Sequence, residues 1–483
     1  MQYKYNKDTN SLELVNRNSI IVNNVISSGT GVTLTVTTDE EDFYGKTVNL
    51  TDGNKTIISQ FSNEGIAVFN NVDMEGELTA EITVGEKKFS SKIEVKSNYN
   101  TILKKYQTYS LSIDLLEENP SAWGTWIDDA VNMTPVAIGG GENEMDKFMG
   151  YYPVAIDRNG NEIDLINPNN YLENIEKNTL QDSNLIMVKF PAYGYRIYYT
   201  DENTLIVSVT NEPNKKDYRY LTYKSVLLDS FYISAYLANT VTESSMTIAQ
   251  SKTKVIPSTN ISLPSWREYV HNLGSNFEVM YYDLIVYLLC CMTIKYKGNN
   301  IQSILGLGYV GGSNSDIPAN GMGDLLGLNY GTTVDTVHTA KMFGIEHFWG
   351  NHMTWVEGCY FNDKNQLCLA DGYFNESVDS DKYEKFQLSG SYGGIYLHKP
   401  IGDTRVGFLP SSTSDNGATG SNDKYFCDKV STYNGRWGTW GAHRETNDYR
   451  SVGPYNIDIG SFLDYSSWND RGIRIAYLKV REG

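Results

Sequence analysis

The chain is short of cysteine, of positive charge and of long apolar runs. Five cysteines in 483 residues are an odd number at low density, and no two stand as C-x-x-C. That spacing argues against a structural zinc site. Cys359 and Cys368 could face each other across a hairpin turning at Asn362-Asp363-Lys364-Asn365. A disulfide fits there, but two reduced, buried thiols are the expectation. Lys and Arg total 40 against 58 Asp and Glu, a formal net charge of −18. Nucleic acid needs a basic face, so it is not expected as a partner. Anionic membranes are equally disfavoured, and an acidic surface mainly keeps a protein soluble. The greasiest stretch, Leu284 to Ile294, is eleven residues, about half of what a bilayer crossing needs. Residues 1–20 carry Lys4, Lys7 and Arg17 and no apolar core, so no signal peptide is expected. No repeat with a period of about 20–50 residues stands out, which disfavours a solenoid or propeller. Nor is there a heptad run. These absences point to a soluble protein folded in a reducing cytoplasm.

What is abundant is tyrosine: 36 residues, more than Phe (16) and Trp (8) together. Tyr pairs an apolar ring with a polar tip and suits half-buried sheet faces and wet interfaces. The length predicts two to four domains. Residues 1–98 read as a small β-domain. Val32, Leu34 and Val36 alternate with Thr33, Thr35 and Thr37, the period of a half-buried strand. Residues 77–84 and 87–95 alternate likewise around Gly85-Glu86-Lys87, which predicts a hairpin. Turn signals about a dozen residues apart suggest a sandwich. Residues 99–109 are expected to be a linker, with a helical turn at Ile102-Leu103-Lys104-Lys105.

Residues 107–260 carry strands at 153–156, 184–190 and 205–209, with a turn at Asn167-Pro168-Asn169-Asn170. Residues 262–296 predict two helices. The first has Ser265 and Glu268 as a capping box and Trp266, Val270 and Leu273 on one face. The second, about Asn276 to Met292, is apolar nearly all round and should be buried between layers. Residues 300–345 are Gly-rich and irregular.

Several motifs invite chemistry. Gly306-Leu307-Gly308-Tyr309-Val310-Gly311 matches G-x-G-x-x-G, but it follows a helix with no βαβ unit around it. A glycine loop packed close to other backbone is the expectation. His338, Glu346, His347 and His352 suggest a metal cluster, yet the spacing of five between His347 and His352 is not H-E-x-x-H. Structural histidines are expected. Asp39-Glu40-Glu41-Asp42 is either a calcium loop or, as expected, a solvated turn. No G-x-S-x-G elbow is present. Asp458, Asp464 and Asp470 sit among aromatics as sugar-site acids do, and ordinary turns look the same.

The last fifty residues run from Tyr433-Asn434-Gly435-Arg436-Trp437-Gly438-Thr439-Trp440, through a Tyr/Asn/Ser/Asp stretch, to Gly472-Ile473-Arg474-Ile475-Ala476-Tyr477-Leu478. Tyr, Ser, Asn and Trp give large contact area and adaptable hydrogen bonds at low entropy cost. The segment from Gly344 to Gly358, containing Gly350-Asn351-His352-Met353-Thr354-Trp355, resembles the G-N-x-W-x-W signature of the C-type-lectin-like fold in its sulfatase-modifying-factor form. Met353 stands where the pattern has its first Trp. Arg436-Trp437-Gly438-Thr439-Trp440 resembles that family's Arg-Gly-Gly-Ser-Trp turn, and Gly472 to Ala476 its closing strand. Asp229 to Tyr236 resembles its opening strand. The region from Phe43 to Phe69 resembles the immunoglobulin-like modules of phage structural proteins. The helix pair followed by Asn299 to Gly306 resembles a stretch of phage tail-associated proteins.

The enzymatic branch of this family uses a copper-binding cysteine pair near the C-terminus. Only Cys427 lies in that region here, so the resemblance implies no enzyme and no cofactor. Another branch serves phage receptor binding and displays side chains just before the last strand. Here those are Arg444, Asn447, Tyr449, Arg450, Tyr455, Asn456, Tyr465, Trp468 and Asn469. Trp437 and Trp440 are expected to be structural. The expectation is a mainly β chain with an α+β C-terminal domain. An immunoglobulin-like β-sandwich over 1–98 attaches to a virion. A β-rich region over 110–220 belongs to or packs on a C-type-lectin-like domain over 221–483. The partners implied are other virion structural proteins and a host surface glycan or protein, in a homo-oligomer, a trimer by analogy. The alternatives are a purely structural virion component and a glycan-cleaving tail enzyme.

Overall fold

The computed structural model describes residues 2–6, 11–15, 20–25, 32–37, 41–72, 77–84, 87–94, 102–103, 106–117, 122–180, 185–298, 301–312, 317–374, 377–388, 395–414, 429–432, 435–441, 453–459 and 469–481. The chain is mainly β and divides into two compact units, Met1–Gln107 and Thr108–Gly483.

In the first unit two four-stranded antiparallel sheets share one core. One runs Ile102–Leu103, Ile20–Val25, Val32–Thr37, Ile66–Val72; the other Thr56–Gln60, Thr47–Thr51, Glu77–Val84, Lys87–Glu94. The alternation read from the sequence is the reason for the shared core: Leu78, Ala80 and Ile82 are buried against Val48, Leu50, Val36 and Phe69. Ile102-Leu103 is a strand rather than the expected helical turn. It pairs with Ile20-Ile21, and that distant partner overrides a weak local preference.

The second unit holds three larger sheets. Thr108–Asp114 lies between Gly124–Asp128 and Thr204–Thr210, with Gly194–Tyr199 outside. The second sheet runs Asn170–Asn174, Glu162–Asn167, Tyr152–Ile156, Leu185–Pro191, Val226–Ser234, Ile475–Val480, Phe277–Val279. Strands from 152–191 thus share a sheet with Val226–Ser234 and Ile475–Val480, so the 110–220 region is built into the same unit. The third sheet centres on Met353–Phe361, Arg436–Trp440 and Ile457–Ile459.

The helix Tyr282–Lys295 is buried at every residue. It packs on Thr108–Asp114 and Thr204–Thr210 on one side and on Met353–Phe361 on the other, between layers as its composition demands. Its start is later than expected, because Phe277–Val279 is taken as an edge strand by Ile475–Val480. The helix Leu263–His271 buries Trp266 and Val270 as expected, but Ser262, not Ser265, caps it, accepting from Ser265 N. Met353–Phe361 and Gln366–Leu369 form the expected hairpin. Its register pairs Cys359 with Leu369 and Cys368 with Tyr360, so the two thiols are offset, and both are free and buried.

Candidate recognition surface

The Trp/Gly motifs build a framework. Met353–Phe361 pairs with Arg436–Trp440 in two stretches, Thr354 with Trp440 and Phe361 with Arg436, separated by an irregularity. Gly358 sits in that break with φ 65°, and a Cβ there would stand 2.3 Å from Ala370 O; only glycine fits. Trp440 is buried, its ring edge-on to Phe348 at 4.7 Å and its Nε1 donating to Pro454 O at 2.6 Å. Gly441 N donates to Asn456 O at 3.0 Å. Trp440 also pairs with Ile457. The chain therefore leaves the sheet at Gly441 and is back beside its exit by Gly453–Asn456. Ile459 pairs with Thr432, and after residues 460–468 the chain is held again where Met353 N donates to Asp470 O at 3.1 Å. Arg471-Gly472 runs parallel to Met353-Thr354. Both segments rich in predicted contact residues, 442–452 and 460–468, thus begin and end on one framework.

Arg474 locks the closing strand behind it. Its buried guanidinium donates to Glu346 O and His347 O at 2.6 Å each and to Ser234 O at 3.3 Å. Burial pulls it down to about 9, so it is still charged at neutral pH.

Of the nine predicted contact residues, Arg444, Asn447, Tyr449, Arg450, Tyr465 and Trp468 lie outside the described residues. Asn469 is exposed. Tyr455 and Asn456 are buried and do not belong to an accessible surface. The Tyr455 hydroxyl is 2.6 Å from Thr293 Oγ1, and its ring packs on Phe408 at 5.1 Å. They enter the strand Ile457–Ile459, where inward positions join the core. Trp437 is half-buried on Tyr360.

No family model matches the chain, and no curated protein matches it. Among the described residues no three His, Cys, Asp or Glu side chains converge as metal ligands. His347 and His352 are buried, while His338 is paired with Asp335 at 2.8 Å. Gly306 and Gly308 lie against backbone, as a Cβ would meet Thr332 O at 1.6 Å and Trp349 O at 2.8 Å. Asp458 lies on Ile457–Ile459, Asp470 pairs with Arg471 at 2.6 Å, and Asp464 is outside the described residues.

Sequence reasoning missed a set of buried charge networks. Glu346 accepts from Gly321 N (2.8 Å) and Gly323 N (2.5 Å), and burial pushes it up to about 7. Glu357 takes both of its bonds from Arg267, at 2.8 and 2.9 Å. Glu278 accepts from Tyr223 Oη at 2.5 Å and lies 2.7 Å from His271 Nε2. These carboxylates already have partners, and Glu357 and Glu278 tie Leu263–His271 to the strands beside it. Asp283 and Lys295, charged residues inside an otherwise apolar helix, were the one visible signal.

His347 gives a pH prediction. Burial, and then the Arg474 guanidinium, push its imidazole down to about 3. Glu346 Oε1 lies 3.7 Å away. A base with a folded pKa below its unfolded value, about 6.5, contributes full stability above that pH and loses it as pH falls towards 3. His347→Gln should therefore flatten the fall in urea midpoint between about pH 6.5 and pH 4. A slope equal to wild type would remove His347 as its source.

Proposed function

We propose that the chain is a recognition protein on the surface of a bacteriophage particle. In this reading residues 1–98 are an immunoglobulin-like attachment module, and residues 221–483 a C-type-lectin-like domain that binds a host surface glycan or protein. The observation that carries it is the framework just described: two segments rich in Tyr, Arg, Asn and Trp start and finish on the same rigid strands. Binding loops mounted on a fixed scaffold are the common arrangement for recognition, and Tyr, Trp and Arg are the residue types that dominate binding energy. Weak single sites gain greatly from multivalency, which suits a homo-oligomer.

The test is binding of purified protein to host cells, wild type against Tyr449→Ala/Arg450→Ala/Tyr465→Ala/Trp468→Ala, with equal melting temperatures checked first. Wild type should bind, and the variant should lose at least about tenfold in affinity, since a single hot-spot side chain is worth about 2 kcal/mol or more. Equal binding would place recognition elsewhere on the chain. No binding by either protein would favour the purely structural virion role.

A further inference from the structure

Two cations stand one turn apart on the helix Leu263–His271, and two carboxylates from different sheets meet them. Arg267 and His271 are four residues apart, which puts both on one face of the helix. Arg267 holds Glu357 at 2.8 and 2.9 Å, and His271 Nε2 lies 2.7 Å from Glu278 Oε2. Glu278 belongs to Phe277–Val279 in the second sheet, Glu357 to Met353–Phe361 in the third. The chain segments of the two sheets meet beside this point, where Glu357 N donates to Met280 O at 3.1 Å. The helix is therefore a staple across a junction of two sheets.

The four charges balance only when the imidazole is protonated. Glu357 and Glu278 bring two negative charges and Arg267 one positive. A neutral His271 leaves one negative charge over where the two carboxylate side chains are 0% and 6% exposed, a costly place for it. Among the described residues no other cation lies within salt-bridge distance of either carboxylate. Tyr223, which donates to Glu278, and Tyr383, buried near Glu357, are both held un-ionised by burial. The strand Met246–Gln250, also packed on the helix, has no ionisable residue. Arg158, whose carbonyl lies against Gly274, is engaged by Glu243. His271 is the member most open to solvent, its side chain 38% exposed against 15% for Arg267. It stands in the last turn of the helix, where the helix dipole favours a cation. We infer that His271 is a proton-operated clip: protonated, it fastens the end of the helix to the second sheet while Arg267 fastens the helix to the third, and without its proton the hold on Phe277–Val279 relaxes. The Glu278 carboxylate keeps the imidazole above its ordinary value, against burial and the Arg267 charge. The stabilisation is therefore full below the unfolded value, about 6.5, and is lost as pH rises through the higher folded value. This device does not depend on the recognition reading above.

Hydrogen exchange of the full chain tests it, read as protection at Phe277–Val279 and in the last turn of the helix, at about pH 5.5 and about pH 9. Wild type should lose about fivefold in protection at the higher pH, the upper range for a partly exposed ion pair. His271→Gln keeps a hydrogen-bonding group without the charge, and should show the lower protection at both pH values. His271→Lys carries a charge that does not titrate in this range, and should keep the higher protection at both. Imidazole NMR should show His271 of the wild type titrating above about 6.5. The inference is overturned if wild-type protection is the same at both pH values, if either variant loses as much as wild type, or if His271 titrates below its ordinary value.

Discussion

Alanine at Asp146 should destabilise the larger unit by about 3–5 kcal/mol, the cost of leaving a buried charge without its partner. Lys295 ends the buried helix with no exposed side-chain surface, and its Nζ reaches Asp146 Oδ1 at 2.5 Å. Burial pulls that ammonium down and Asp146 opposes the fall, leaving it at about 8. The same carboxylate accepts from Tyr151 Oη at 2.6 Å, from Asn329 Nδ2 at 3.1 Å and from Asn143 N at 2.7 Å. Alanine would take the acceptor from four donors at once, of which Asn329 Nδ2 alone keeps a second one, Tyr151 Oη at 2.9 Å. Lys295→Met should cost less, because the thioether fills the space of the lysine stem and Asp146 keeps three donors. Combining Asp146→Leu with Lys295→Met should recover part of the loss, since an apolar pair can replace a buried ion pair at little cost. Urea unfolding of the four proteins checks this. A double variant less stable than Asp146→Ala would mean that the loss is not the stranded charge.

Trp440→Ala should cost a similar amount, about 3–5 kcal/mol for an indole removed from a core, and should also loosen the strand framework around it. The indole fills space against Phe348, and its N–H holds Pro454 where the chain returns to the sheet. Trp440→Phe separates these roles. It keeps most of the packing and abandons the Pro454 carbonyl, which costs about 1–3 kcal/mol for a buried group left without its bond. Urea midpoints give the stabilities, and hydrogen exchange at the Gly441 and Asn456 amides reports the clamp. If Trp440→Phe leaves both exchange rates at wild-type values, the indole N–H does not hold the return.

Much of the β framework was legible because one buried face imposes period two. Val32–Thr37 and Glu77–Val84 show that alternation, and the structure buries Val36 in the first and Leu78, Ala80 and Ile82 in the second. The helix Tyr282–Lys295 was legible for the opposite reason, an apolar surface all round. Its start was not, because Phe277–Val279 becomes a strand only by pairing with residues some two hundred positions later. The same applies to Ile102-Leu103. Tyr455 was misjudged because composition says which residues suit a contact surface and not which way each one faces. A tyrosine in a stretch rich in Tyr and Asn can turn inward if a buried hydroxyl, here Thr293, awaits it. Asp283 and Lys295 stood out in an apolar run, but Arg405 and Asp146, their partners, come from segments that sequence spacing does not link to them.

The place of Ile475–Val480 has a consequence for synthesis. This strand lies between Val226–Ser234 and Phe277–Val279, not at the margin of its sheet. Until it emerges from the ribosome, two hydrogen-bonding edges face a gap that only these residues fill. The Arg474 contact to Ser234 alone spans 240 positions. Non-local closure of this kind is slow and leaves open strand edges exposed in the meantime. The larger unit therefore completes its folding after translation of residue 480, and a nascent chain stopped short of it carries a sheet split through its interior.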